Sequence, residues 1–94
     1  MDDSKPRPRV TLRYCPLCRW LTRAAWIAQE LLTTFPGEID VLLSPAGNGL
    51  FEVSFDDEVI FSRAEAGRFP DPKELKQAIR DRIDPERSLG HSDT

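Results

Sequence analysis

Apolar and polar positions alternate at the start of the chain and then change period. Val10, Leu12 and Tyr14 are separated by Thr11 and Arg13, which predicts a strand over 9–14. Leu17, Leu21, Ala24, Ala25, Ala28, Leu31, Leu32 and Phe35 then recur at helical spacing and predict one long helix. Pro16 suits its first position, where an N–H is not needed, and Pro36-Gly37 ends it. Such a helix is about twenty residues, or roughly 30 Å, long.

Ile39 to Leu43 is mostly apolar and reads as a buried strand, followed by a loop, Ser44-Pro45-Ala46-Gly47-Asn48-Gly49. Phe51, Val53 and Phe55 alternate with Glu52 and Ser54, Asp56-Asp57-Glu58 turns, and Val59-Ile60-Phe61 returns, which is a hairpin pattern. A loop through Gly67 and Pro70 leads to a second helix with Asp71 as cap, Pro72 first and Glu74 closing a capping box. Leu75, Ala78, Ile79, Arg82 and Ile83 line one side of it, the Arg82 stem covering apolar surface, and Pro85 stops it.

This order predicts an α/β (α+β) fold with a four-stranded mixed sheet and two helices. The first strand–helix–strand unit is expected to be parallel and right-handed, with the hairpin added antiparallel beside the first strand. Ninety-four residues, 39% of them hydrophobic, suit one domain. It is expected over 9–86, with solvated, disordered tails at 1–8 and 87–94.

Net charge is −3, yet up to Phe35 Lys5, Arg7, Arg9, Arg13, Arg19 and Arg23 outnumber Asp2, Asp3 and Glu30. A basic patch can therefore surround the first cysteine, while the overall sign argues against a nucleic-acid partner. No apolar run is long enough for a membrane span, and the polar, Pro-rich start lacks the pattern of a secretory signal. A cytoplasmic location and no membrane partner are expected.

The chemistry-bearing motif is Tyr14-Cys15-Pro16-Leu17-Cys18-Arg19-Trp20, at the predicted strand-to-helix junction. Residues three apart on a helical turn are neighbours, so a small movement brings both sulfurs within bonding distance. Unpaired amides at a helix start stabilise a thiolate, the attacking species in exchange. Close cysteine spacing in a reducing compartment points to redox chemistry or metal more than to a structural bridge. Structural zinc needs about four ligands. Two thiols, with His91 in the tail, would require a zinc-bridged dimer; inert cysteines filling the helix start are the remaining alternative.

The Tyr-Cys-x-x-Cys motif, Gly49-Leu50-Phe51-Glu52-Val53 and Gly67-Arg68-Phe69-Pro70 resemble the selenoprotein W group of the SelT/SelW/SelH (Rdx) family over about Val10 to Ile83. The resemblance implies a thioredoxin-like β-α-β-β-β-α fold and a thiol–disulfide redox role in peroxide defence or glutathione-linked homeostasis. Client protein thiols are the expected partners, with glutathione or a thioredoxin system as the donor. Selenoprotein members carry selenocysteine at the position of Cys18, so plain cysteine implies a slower nucleophile. Tyr14 stands where thioredoxins usually have tryptophan, and Asn48-Gly49 where they place a cis-proline. Helix-end physics favours Cys15 as the attacking sulfur, whereas the resemblance favours Cys18.

Cys15 and Cys18 are thus the candidate catalytic residues, with Tyr14, Pro16, Leu17, Arg19, Trp20, Asn48 and Gly49 as the candidate substrate or partner surface. Trp20, Trp26 and Ile27 lie off the main helical stripe: either the buried face is broad, or they form a contact surface for a client or a second copy of the chain. Gly47-Asn48-Gly49 is a turn and no dinucleotide fingerprint, since Glu52 holds the third glycine position. Its backbone is expected to approach the sulfur pair. Glu52, Asp56, Asp57 and Glu58 read as a solvated hairpin edge. No cofactor and no metal are assigned. A redox-regulated binding module without significant turnover is the alternative function.

Overall fold

In a computed structural model describing residues 6–90, the chain runs β1 (Arg9–Tyr14), α1 (Leu21–Thr34), β2 (Asp40–Pro45), β3 (Phe51–Phe55), β4 (Glu58–Ser62), α2 (Arg63–Ala66) and α3 (Pro72–Ile83). The four strands form one mixed sheet in the order β2-β1-β3-β4. β1 runs parallel to β2 and antiparallel to β3, and β3 pairs antiparallel with β4. This is the expected sheet.

Alternation along β1 decides which face is covered. Val10, Leu12 and Tyr14 point into the core, while Arg13 on the other face is exposed. Val53 and Phe51 sit opposite Leu12 and Tyr14 in register and continue the buried row. Ala24, Ile27, Ala28 and Leu31 of α1 and Leu75 and Ile79 of α3 close over it. Each fully buried Leu, Ile, Val or Phe side chain contributes about 1.5–3 kcal/mol. The two longer helices touch, and Lys76 of α3 donates to Glu30 of α1 at 2.9 Å.

Several expectations are corrected. The first helix starts at Leu21 and not at Pro16, because residues 16–19 form a turn. Leu17, Leu21 and Leu32 are exposed, and the buried stripe runs through Ile27 instead. β2 is an edge strand that extends to Pro45, with Leu42 exposed on the uncovered sheet face.

The loop before the second predicted helix holds a further short helix, α2, whose cap Ser62 Oγ accepts from Glu65 N–H and whose end is Gly67 at φ 73°. The capping box of α3 forms as expected: Asp71 Oδ1 accepts from Lys73 N–H at 2.9 Å and Glu74 Oε2 from Asp71 N–H at 2.8 Å. Arg82 does more than cover apolar surface, donating two hydrogen bonds to Glu58 at the hairpin tip, at 3.0 and 2.8 Å.

Residues assigned to the tails also make contacts. Arg7 pairs with Asp40 at 3.2 Å, Arg87 donates to both carboxylate oxygens of Glu38 at 2.9 and 2.7 Å, and Leu89 packs against the core. His91 lies outside the described residues.

Candidate thiol redox site

The site begins where β1 ends. Tyr14 is the last inward-facing position of the strand and is buried, so it supplies core and no partner surface. Its carbonyl accepts from Ala46 N–H at 2.7 Å, which anchors the start of the 46–50 segment beside the motif. Cys15 follows, 2% exposed. The chain then reverses through Pro16, Leu17 and Cys18, with Arg19 N–H donating to Pro16 O at 3.1 Å. This turn brings the Cα atoms of Cys15 and Cys18 to 5.4 Å, and the two sulfurs are joined as a disulfide.

The two halves of the bond face different surroundings. Cys15 is sealed at the edge of the core, whereas Cys18 is exposed, beside Leu17, which is 86% exposed. Arg19 leaves the turn with φ 62°, a left-handed conformation that costs a residue with a Cβ about 1–2 kcal/mol. That conformation interrupts any helical run and explains why α1 starts late.

Cys15 is therefore not the helix cap. Trp20 holds that position, without a side-chain cap hydrogen bond and with no acidic residue in the first turn. The amides expected to favour a Cys15 thiolate belong to residues downstream of the whole motif. The nearest fixed charge in sequence is Arg19, which adjoins the exposed sulfur's residue.

Trp20 packs into an aromatic cluster. It meets Phe69 edge to face with centroids 4.9 Å apart and Phe51 at 6.3 Å, while Phe51 and Phe69 are 5.3 Å apart. The Arg23 guanidinium lies 4.0 Å from the Phe69 centroid, and that of Arg63 lies 4.8 and 4.9 Å from Trp20 and Phe69. Such contacts contribute about 0.5–1 kcal/mol at exposed sites. Arg63 Nε is buried without a hydrogen-bond partner among the described residues, and its guanidinium lies over the two ring faces.

Arg19, Trp20, Thr22, Arg23 and Trp26 line an open groove of about 370 Å³, and Trp26 is 47% exposed. Pro16, Leu17 and Arg19 lie on the exposed turn itself. Ile27 belongs to the core and Trp26 to the surface, which divides the off-stripe residues between the two readings given to them.

Asn48 and Gly49 are exposed in a turn closed by Leu50 N–H donating to Gly47 O at 3.2 Å. Gly49 is favoured by its left-handed φ of 68° alone, because a Cβ there would meet nothing within 4 Å. The hairpin acids are engaged: Glu52 with Arg13 at 3.4 Å, Glu58 with Arg82, and Asp56 Oδ1 with Arg9 N–H at 3.0 Å. Phe69 and Arg63 are neighbours of the site that sequence reasoning misses, whereas Arg23 belongs to the basic patch expected around the first cysteine. Phe69 lies in the quoted Gly-Arg-Phe-Pro element, which was the one signal for it.

The family model for the Rdx family matches residues 9–81, a span covering the motif, the sheet and most of α3. The chain belongs to the Rdx family. Its structural likenesses within and around that family are close. The fold superposes with a TM-score of 0.80, at 42% identity, on a selenoprotein W-related protein from Vibrio cholerae, covering 84% of this chain and all of that one. A protein from Bordetella parapertussis gives the same TM-score and identity over 83% of this chain and all of that one.

Among curated relatives, migration and invasion enhancer 1 is 32% identical over 72 residues in Bos taurus and 31% over 71 in Mus musculus. These alignments cover 77% and 76% of this chain but only 62% and 61% of the relatives' own lengths. With a bonded Cys-x-x-Cys pair on an Rdx fold, the site is one for thiol redox chemistry.

Proposed function

We propose that this Rdx-family chain is a thiol–disulfide exchange protein in which Cys18 meets the substrate and Cys15 resolves. The observation that carries this reading is the unequal exposure of a bonded pair: a substrate arriving from solvent reaches one sulfur and not the other.

In the reduced protein the Cys18 thiolate attacks one sulfur of a client disulfide. A Cys18–client bond forms and the client's other sulfur leaves as a thiolate. Cys15, having given its proton to solvent, then attacks Cys18 and releases the second client thiolate. Two electrons have passed to the client and the protein holds the internal disulfide. Two equivalents of a thiol such as glutathione, or one dithiol of the thioredoxin kind, reverse the sequence. The thiolate fraction and the access of the attacking sulfur set the rate, and a reducing, cytoplasmic setting suits such a cycle.

Trapping with glutathione disulfide tests the assignment. Cys15→Ser is expected to hold one glutathione on Cys18 in the folded protein, by intact mass and peptide mapping, whereas Cys18→Ser is expected to react at least ten-fold more slowly. Equal trapping by the two variants overturns the roles. Failure of both, together with no reduction of small disulfides by the unaltered protein, overturns exchange itself.

A redox-regulated binding module is the second reading, favoured by the exposed Leu17 and the aromatic groove beside the turn. Partner binding that follows the oxidation state, without catalytic turnover, would single it out.

A further inference from the structure

Arginine pairing in this molecule is uneven. Arg7, Arg13, Arg68, Arg80, Arg82 and Arg87 each have a carboxylate partner within 4 Å. Arg19, Arg23 and Arg63 have none among the described residues, and all three stand at or against the aromatic cluster next to the disulfide. Arg9, at the opposite end of β1, and Lys73 of α3 also lack a carboxylate partner among the described residues. Yet in a chain with net charge −3 three unmatched cations stand together at the reactive end. Arg19 and Arg23 border the groove with Trp26, and Leu17 on the cysteine turn and Leu21 at the start of α1 are exposed.

We propose, resting on the exchange reading above, that this groove docks an extended client segment carrying carboxylates beside its reactive cysteine. Arg19 and Arg23 receive the acidic side chains, and their planar forks suit carboxylates. Trp26 takes an apolar neighbour, and the client sulfur is presented to Cys18 one residue from Arg19. Charge complementarity of this kind governs encounter and selection more than total affinity. Arg63, packed behind Trp20 and Phe69, adds positive potential without reaching the client.

The test compares two mixed disulfides of peptides with 2-mercaptoethanol. They are identical except that the cysteine is flanked by Asp and Glu in one and by Lys in the other. Each is reduced by the unaltered protein, and its rate is divided by its rate with dithiothreitol, which removes the intrinsic effect of flanking charge on the leaving thiol. The acidic peptide is expected to react about five-fold faster at low salt, each exposed pair being modest in strength. That ratio is expected to approach one near 1 M salt, where the screening length is about 3 Å.

Arg19→Gln with Arg23→Gln is expected to bring the low-salt ratio towards one. A ratio at or below one at low salt, or a ratio indifferent to salt, overturns the proposal. So does a concentration-dependent dimer that shields Trp26, because the groove would then belong to a second copy of the chain. An unaltered protein that leaves uncharged 2-hydroxyethyl disulfide untouched overturns the exchange reading instead, so the two failures are distinguishable.

Discussion

The ring of Trp20 stands edge-on to Phe69, 4.9 Å between centroids, and so joins the residue two places after Cys18 to the segment that opens α3. This contact braces the far end of the cysteine turn against an element some fifty residues away in sequence. It accounts for the turn keeping its shape without a capping side chain on α1.

Aromatic pairs of this geometry contribute about 0.5–1.5 kcal/mol beyond the area they bury. A double-mutant cycle with Trp20→Leu and Phe69→Leu is expected to return a coupling of about 1 kcal/mol in urea unfolding. Each single variant should also change the rate at which Cys18 is alkylated, because the turn loses its brace. A coupling near zero would mean that the rings only share a neighbourhood.

Leu17 offers the complementary case. Being 86% exposed on the turn, it contributes little to the core. Leu17→Ser is expected to alter stability by less than about 0.5 kcal/mol, whereas Leu31→Ala, on the buried stripe of α1, is expected to cost about 2–5 kcal/mol. Thermal and urea unfolding of the two variants separates a helix starting at Leu21 from one starting at Pro16.

Gly49→Ala tests the return loop. The added methyl meets nothing, so its cost is that of the left-handed backbone alone, about 1 kcal/mol. A much larger loss, or loss of exchange activity at unchanged stability, would indicate that the loop backbone works at the sulfur pair itself.

The pH dependence follows from glutamates held by arginine forks: Glu58 by Arg82 on the exposed hairpin tip, together with Glu38 and Glu74. The Arg87 fork holds the Glu38 carboxyl below the ordinary glutamate range. The Arg68 fork does the same for Glu74, which the Asp71 backbone amide assists. A carboxyl whose folded pKa is lowered contributes stability that is fully present above its unfolded pKa, about 4.3. That contribution is lost as pH falls from there through the folded value. Stability is therefore expected to be flat from neutral pH down to about 5 and to decline below about 4.3. Glu74→Gln, which keeps an oxygen for the cap but loses the charged pair with Arg68, should shallow that decline and cost no more than about 1 kcal/mol at pH 7. Chemical unfolding across pH 3–7 reads both effects.

Sequence pattern resolves the sheet well because the signal there is local. Val10, Leu12 and Tyr14 alternate, the Asp56-Asp57 turn is short, and Asp71, Pro72 and Glu74 carry the α3 cap in four residues. The start of α1 escapes the same reasoning. Leu17 and Leu21 fit an i, i+4 spacing, but the hydrogen bond from Arg19 to Pro16 and the left-handed Arg19 override it, and neither is visible in periodicity.

The short α2 falls in a stretch that reads as a loop, although Ser62-x-x-Glu65 followed by Gly67 is a cap-and-stop pattern. Contacts that join distant parts of the chain are not legible in the sequence. Arg87 reaches Glu38 and Trp20 reaches Phe69 only after the chain has folded. The cysteine pair was found by spacing. Which sulfur faces outward depended on where the last inward position of β1 fell.

The one-sided burial of the disulfide also bears on wear. Irreversible damage to a thiol requires successive oxidants to reach the same sulfur. Here, of the two cysteine sulfurs, the one they can reach lies within bonding distance of a sheltered companion. On the proposed reading, a peroxide that takes two electrons from the Cys18 thiolate leaves it as a sulfenic acid. The Cys15 thiol then displaces that oxygen as water to close the bridge, a form that thiols can recover. On the exchange reading proposed above, the wall of the core is then a safeguard for the exposed sulfur.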